Sequence, residues 1–171
     1  MAVGLYTFVE MYSRQLTTAA HLLDRGQARA AELGVGEAEM LGWRLIDDMQ
    51  PLSFQLLVVC NFARQWPARI LEIEVPPDAP TNLDVAGFKA ALADAKAYLA
   101  SLKPEQFAGR DDVPLSFPIG GEGGPRPTLP AGQWLSSFAT TNLYFHLSTA
   151  YAILRSKGTQ IGKMDLFAGG L

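Results

Sequence analysis

The chain has 171 residues, of which 49% are hydrophobic and only 18% are charged, and its formal net charge is −3. This length suits a single domain spanning residues 1–171, and the absence of a basic block argues against nucleic-acid binding, which leaves a clustered lysine and arginine footprint. A surface so poor in charge predicts that part of it is covered in a homodimer; otherwise it is a neutral surface that binds nothing.

Cysteine usage and hydropathy favour the cytoplasm. Cys60 is the one cysteine and lies in an apolar run, which is typical of an inert packed thiol and leaves no intramolecular disulfide. The first residues have no basic region and include Glu10, unlike a signal peptide. The longest apolar runs, such as residues 56–60, fall far short of the roughly 18 residues of a membrane span. We therefore expect no membrane association.

The first predicted helix spans about residues 4–26. Its apolar positions recur at steps of three and four and define one helical stripe: Leu5, Phe8, Val9, Tyr12, Leu16, Ala19, Ala20 and Leu23. Arg25 followed by Gly26 resembles a cation in the last turn and a glycine just beyond the helix end.

The second helical region is interrupted by proline. Residues 37–46 form a short helical stretch, and Pro51 then forces the helix to kink or restart because it lacks an N–H group. Asp48 is placed to cap the restarted helix. Pro67 predicts a second kink or an end of that helix. Its apolar face is formed by Leu52, Leu56, Val59, Phe62, Ala63 and Trp66.

The third helix follows a proline-rich break at residues 76–80. Thr81 with Asp84 three residues later resembles a capping box. The helix ends before Pro104. Its apolar positions step by four and three, as in the narrow seam of a helix bundle: Phe88, Leu92, Ala95, Leu99 and Leu102.

Residues 107–130 form a long loop that is rich in glycine and proline. The partial alternation of residues 112–119 predicts one arm of a short hairpin, with Val113, Leu115, Phe117 and Ile119 on one side. A loop of this length is often a lid or binding loop, although a plain connector is an equally good interpretation.

The last long helix spans about residues 131–157. Together with the three earlier helical regions it predicts a four-helix bundle, in which the long loop precedes the final helix. Gly158 would supply the left-handed position after the helix, and residues 159–171 would fold back on the bundle. The spacing predicts one stripe and four residues next to it: Trp134, Phe138, Thr141, Phe145, Thr149 and Ala152, flanked by Leu135, Asn142, His146 and Ile153.

Two histidines limit the possible chemistry. No serine lies in a Gly-x-Ser-x-Gly elbow, which argues against a hydrolytic triad. Neither His21 nor His146 has a second histidine or cysteine at metal-pair spacing, and Ala150 stands one turn after His146. His21 is expected at the surface or rim.

A polar cluster is predicted between the second and last helices. Asp48 and Gln55 are seven residues apart and would share one face of a continuous helix, although Asp48 could serve only as a cap. Asn142 and His146 would complete the cluster from the last helix. His146 is either a core-edge histidine, satisfied by a partner such as Asp48, or a ligand or acid–base residue in a pocket.

Three stretches together resemble a family of uncharacterised bacterial proteins within the DinB/YfiT-like group of four-helix bundles. They are residues 44–52 with Gln55, residues 144–155, and residues 161–165. The resemblance covers nearly the whole chain and implies an all-α, DinB-like four-helix bundle. In the wider group it implies a divalent metal held by three histidines and, in some members, thiol-dependent transferase or isomerase activity. Ala150 departs from that pattern, as does the lack of a histidine on the second helix.

Three functional hypotheses follow. The first is a small-ligand-binding or non-catalytic homodimer with a polar pocket around Asp48, Gln55, Asn142 and His146. The alternative is a divalent-metal-dependent (zinc, nickel or iron) or thiol-dependent enzyme with a reduced site, in which His146 and Asp48 are the ligands and Gln55 or water completes the shell. The third is a structural or regulatory protein that binds its partner through the apolar surface and the glycine- and proline-rich loop.

Overall fold

The computed structural model describes residues 4–121 and 123–170, and four long helices dominate it. They are α1 (Leu5–Leu33), α3 (Leu52–Leu71), α4 (Val85–Ser101) and α6, which covers 131–156 in three continuous segments: Ala131–Gln133, Trp134–Ala139 and Thr140–Ser156. The shorter elements are α2 (Glu37–Leu41), α5 (Pro104–Phe107), the strands β1 (Pro114–Ser116) and β2 (Thr128–Pro130), and a 3-10 helix (Lys163–Phe167).

The long helices form the predicted four-helix bundle. α3 packs against both α6 and α4, and α1 packs against α4, α3 and α6, so α4 and α6 occupy opposite corners. The core is one continuous cluster of leucine, aromatic and alanine side chains from all four helices. Across the described part of the chain, no helix has both the length and the apolarity needed to cross a membrane.

The α4 seam follows its sequence pattern. All five apolar positions from Phe88 to Leu102 are buried, because steps of four and three keep them on one face of the helix. The cap differs from the capping box in one respect. Asp84, and not Thr81, is the capping residue, and its carboxylate accepts a hydrogen bond from the Gly87 N–H at 2.7 Å.

Helix α1 is longer than the sequence predicted, because Gly26 does not end it. A Cβ atom at Gly26 would lie 2.8 Å from the Leu154 side chain, so this glycine permits close packing between α1 and α6. The helix ends instead at Gly34, whose φ of 69° lies in the left-handed region that glycine tolerates without strain.

Helix α3 corrects two further predictions. Its capping position is Pro51, and no side chain caps the helix, so Asp48 does not have the predicted capping role. Pro67 does not end the helix either, since α3 continues to Leu71. The buried face of α3 on both sides of Pro67 holds it against the bundle, and this packing outweighs the local preference of proline.

The predicted apolar stripe of the last helix does not match the buried face of α6 beyond its first turns. Phe145 is 59% exposed and Thr141 is also exposed, although Thr149 of the stripe is buried. The other buried positions after the first turn are Ala139, Leu143, Leu147, Ala150, Ile153 and Leu154. Residues 134–139 are π-helical. A π-helical turn takes up one extra residue, so every later side chain is rotated relative to a regular α-helix. His146 is half-buried at the edge of the α3–α6 interface.

A buried tyrosine supports this π-helical segment from α1. The Tyr12 hydroxyl donates a hydrogen bond to the Leu135 carbonyl oxygen at 3.1 Å and lies 3.0 Å from the Thr140 hydroxyl oxygen. Tyr12 is fully buried, and burial raises its pKa well above the ordinary range. The hydroxyl therefore gives the Leu135 carbonyl oxygen, within the π-helical segment, a donor from a neighbouring helix.

The loop and the tail both confirm the sequence analysis. β1 and β2 form a short antiparallel hairpin in which Leu115 pairs with Leu129, and the Trp134 indole N–H donates to the Leu115 carbonyl oxygen at 2.9 Å. After Gly158, which has a φ of 79°, the 3-10 helix folds back onto α1. There the His21 ring lies 2.7 Å from the Asp165 carboxylate.

Candidate functional site

Two of the four residues of the predicted polar cluster meet across the α3–α6 interface. Nδ1 of His146 lies 2.7 Å from Oε1 of Gln55, and Nε2 of Gln55 donates a hydrogen bond to the Gln50 carbonyl oxygen at 3.0 Å. Gln55 is almost fully buried, and His146 is half-buried at the edge of the interface. The three residues form a chain of hydrogen bonds from the start of α3 to the imidazole.

This chain determines which imidazole nitrogen carries the proton. The Gln50 carbonyl can only accept, so it orients the Gln55 amide nitrogen towards itself and the amide oxygen towards the histidine. An amide oxygen also only accepts, so Nδ1 of His146 must donate. In the neutral ring Nε2 is therefore left with a free lone pair. No hydrogen bond joins Nε2 to any other described residue.

The surroundings of the imidazole are aromatic. The Phe54 ring lies 5.9 Å from it and the Phe145 ring 5.1 Å, both in edge-to-face arrangements. Burial lowers the pKa of His146, because the charged imidazolium loses solvation between these rings. The neutral ring, with its free Nε2 lone pair, is therefore the form that this environment favours.

The other two residues of the predicted cluster lie outside it. Asp48 is in the exposed turn before α3, and its carboxylate makes no hydrogen bond or ion pair with another described residue. Asn142 lies on α6, but its amide donates to the Phe138 carbonyl oxygen at 2.8 Å, one turn back on the same helix. Neither residue contacts His146 through a hydrogen bond, so the pair is Gln55–His146 alone.

The donor set does not fit the metal site that the family resemblance implies. Within residues 4–121 and 123–170, no three histidine, cysteine, aspartate or glutamate side chains converge as a metal site would require. Ala150 is buried at the position one turn beyond His146, and Gln55, whose oxygen is engaged by Nδ1, is the α3 residue opposite. A zinc, nickel or iron ion needs three or four such ligands.

The remaining reactive side chains lie elsewhere. The Cys60 thiol is buried and contacts the Ala91 carbonyl oxygen at 3.5 Å, and burial raises its pKa. A thiol of this kind is a poor nucleophile. His21 is the partner of Asp165 in the docking of the tail, so it has a structural role at the rim.

Three contributors to the site were missed at the sequence level: Gln50, Phe54 and Phe145. Gln50 acts through its backbone carbonyl, which no side-chain pattern reveals. Phe145 was assigned to the core, and only the extra residue of the π-helical segment places it at the surface beside His146. A run of six residues with no proline or glycine, such as residues 134–139, gives no local signal of π-helical geometry.

Comparison with known proteins agrees with this architecture. Residues 5–167 match the family model described as a domain of unknown function (DUF1993). The crystal structure of a DinB family member protein from Shewanella denitrificans is similar over 95% of this chain and 90% of that chain, with 29% identity and a TM-score of 0.81. No functionally curated protein matches the chain. The chain therefore belongs to this DUF1993 family, and its fold is that of a DinB-like helical bundle.

Proposed function

We propose that the chain is a non-catalytic, small-ligand-binding homodimer whose ligand is held at the Gln55–His146 pair. One observation carries this proposal. The Gln50 carbonyl, the Gln55 amide and His146 form a directed chain of hydrogen bonds that presents a free Nε2 lone pair at a half-buried position.

The contacts define the class of ligand. Nε2 accepts a hydrogen bond, and the edges of Phe54 and Phe145 lie beside it. The ligand therefore carries a hydroxyl or N–H donor on an apolar, preferably aromatic, body. No carboxylate of the described residues is bonded to the imidazole to relay a proton, which favours binding over acid–base catalysis.

Exposed aromatic side chains on α6 and the tail support self-association. Tyr144 is 39% exposed, Phe145 is 59% exposed and Phe167 is 41% exposed. Tyr144 and Phe167 line one surface depression, and Phe145 follows Tyr144 on α6. We define these three residues as the aromatic face. A second copy covering this face by two-fold symmetry would also enclose the ligand at His146.

Binding can be tested with phenol, which has a hydrogen-bond donor, and anisole, which has the same ring without one. We expect phenol to shift the ring resonances of His146 in a long-range ¹H–¹⁵N spectrum, while His21 serves as the internal control. Phenol should also shift the side-chain amide resonances of Gln55, which contacts His146, and His146→Gln should abolish that shift. An equal response to anisole, or none to phenol, would remove the support for this function.

The metal-dependent alternative can be tested on the same protein. Tag-free wild-type protein and its His146→Ala variant would be compared by elemental analysis. The binding proposal predicts no zinc, nickel or iron that depends on His146. About one equivalent in the wild type that disappears in the variant would favour the enzyme instead.

The dimer requires its own measurement. Phe145→Ser should shift the mass measured by light scattering from that of a dimer towards that of a monomer. Leu33→Ser is the matched control, because Leu33 is 45% exposed at the end of α1 and lies outside the aromatic face. A wild-type mass equal to one chain would contradict the homodimer.

A further inference from the structure

A second candidate site lies further along the α3–α6 interface, in a pocket of about 350 Å³. Phe62 lies seven residues after Gln55 on α3, so the pocket begins roughly 10 Å along the helix axis from the Gln55–His146 pair. We call it the aromatic pocket. Its lining combines side chains from α3, α6 and the loop after β1: Phe62, Gln65, Trp66, Arg69, Phe117 and Phe138.

The walls of the aromatic pocket are rings that hold one another in place. Trp66 is at the centre, with its ring 5.1 Å from Phe138 and 5.5 Å from Phe117. Trp134 lies behind it, stacked on Trp66 at 5.5 Å and fixed by its hydrogen bond to the Leu115 carbonyl. Packing of this kind keeps the walls preformed and lowers the entropic cost of binding a flat ligand.

The rim of the pocket carries a cation, Arg69, on which the Asp78 carboxylate acts electrostatically without a direct ion pair. The Arg69 guanidinium carbon lies 5.4 Å from the centre of the Trp66 ring, and Nη1 of Arg69 donates to Oε1 of Gln65 at 3.1 Å. No ion pair joins Arg69 to an acidic residue in the described part of the chain. The guanidinium is half-buried, so its remaining N–H groups are partly desolvated without a directly bonded anionic partner.

The nearest acidic group is already engaged. Asp78 accepts a hydrogen bond from Nε2 of Gln65 at 2.8 Å, and the same amide nitrogen donates to the Pro76 carbonyl oxygen at 3.0 Å. Gln65 therefore stands between the carboxylate and the guanidinium and uses its oxygen to hold Arg69 over Trp66. This arrangement positions the planar Arg69 guanidinium and leaves some of its N–H groups free to donate hydrogen bonds.

We propose that the aromatic pocket binds a planar aromatic monocarboxylate, with its ring packed against the pocket surface formed by Trp66, Phe117 and Phe138 and its carboxylate on Arg69. A carboxylate matches the geometry of the guanidinium fork. A single cation balances a single negative charge, which favours a carboxylate over a phosphate. The volume lies at the lower end of the roughly 300–1,000 Å³ typical of small-ligand pockets, which favours a one- or two-ring compound.

The three tryptophans provide an internal test of location. 2-Naphthoate would be titrated into the ¹⁵N-labelled full-length protein, with the neutral 2-naphthalenemethanol as the matched compound. We expect the indole N–H resonances of Trp66 and Trp134 to shift with naphthoate, while Trp43, outside the pocket, stays unchanged. The alcohol should bind about tenfold more weakly, because it lacks the charge-assisted hydrogen bonds.

Variants separate this site from the Gln55–His146 pair. Arg69→Gln should weaken naphthoate binding about tenfold and leave binding of the alcohol unchanged. Arg69→Lys keeps the charge and should retain part of the affinity. Arg44→Gln, an exposed arginine in the turn before α3, and His146→Ala should have no effect. Shifts at Trp43 alone, equal affinity for the alcohol, or an unaltered affinity in a folded Arg69→Gln protein would each overturn the proposal.

Discussion

Replacing Gln55 with glutamate should oppose the pH dependence that His146 gives to stability. In the wild type, burial lowers the pKa of His146 below the unfolded value of about 6.5. The unfolded chain therefore binds a proton first as the pH falls, and stability decreases from about pH 6.5 down to the folded pKa. In Gln55→Glu, a carboxylate would face Nδ1 at the same 2.7 Å contact.

The size of the effect follows from the geometry. Two unit charges with centres about 4 Å apart attract by about 4 kcal/mol at an effective dielectric constant of about 20. The half-exposed position of His146 reduces this to roughly 1–2 kcal/mol, since solvent screens the pair. Because one pKa unit corresponds to about 1.4 kcal/mol, the pKa of His146 should rise by about one unit. Relative to the wild type, Gln55→Glu should therefore gain stability at low pH, where the imidazolium is charged, and lose this gain as the pH rises through the folded pKa.

The assay is a histidine NMR titration paired with urea unfolding at about pH 5.5 and 8. His21 is the internal control, since it lies at the tail, and Gln55→Met is the neutral control that removes the hydrogen bond without adding charge. An unchanged pKa of His146 in the glutamate variant would show that the two side chains are not in contact and would refute this reasoning.

Three further predictions concern the scaffold. Hydrogen bonds from the Gly162 N–H and from His21 lower the pKa of Asp165, so tail docking should persist above about pH 4 and be lost as the pH falls through the lowered folded pKa. Hydrogen exchange of the tail amides would measure this loss. Asp165→Asn should loosen the tail at all pH values. Tyr12→Phe should cost about 1 kcal/mol in urea unfolding because it removes the hydroxyl that supports the π-helical segment. Phe88→Ala should cost about 3–5 kcal/mol in the same assay, because this fully buried ring leaves a cavity in the α4 seam.

Regular periodicity explains the parts of the fold that the sequence predicted well. The α4 seam keeps strict steps of four and three, and every seam residue is buried. The break at residues 76–80, the hairpin and the returning tail all depend on local glycine, proline and apolar signals. These signals act over a few residues, so they can be interpreted without knowledge of distant contacts.

The errors have tertiary causes. Gly26 has the sequence signature of a helix end, yet contact with Leu154 requires a glycine within the helix. Phe145 was expected in the core, but the π-helical segment, supported by Tyr12 from α1, rotates it outwards. Asp48 was placed on a continuous helical face, whereas α3 begins only after Pro51. Each outcome depends on an element far away in sequence or on backbone geometry that residue spacing does not encode.

The candidate site was predicted in part for the same reason. Gln55 and His146 were expected to meet because each is a polar residue next to an apolar stripe, and the structure joins them at 2.7 Å. Asn142, one turn before His146, instead satisfies the backbone of its own helix. Spacing selects the helix face on which a side chain lies, but the competition between hydrogen-bond partners is decided only in the folded chain.

The most direct test of the central claim is the tautomer of His146 in the wild-type protein. A long-range ¹H–¹⁵N spectrum at about pH 8, above the ordinary histidine pKa, distinguishes a protonated from a free ring nitrogen. The hydrogen-bond chain from Gln50 through Gln55 predicts a proton on Nδ1 and a free Nε2. A proton on Nε2, or rapid exchange between the two forms, would contradict a site built to present that nitrogen to a ligand.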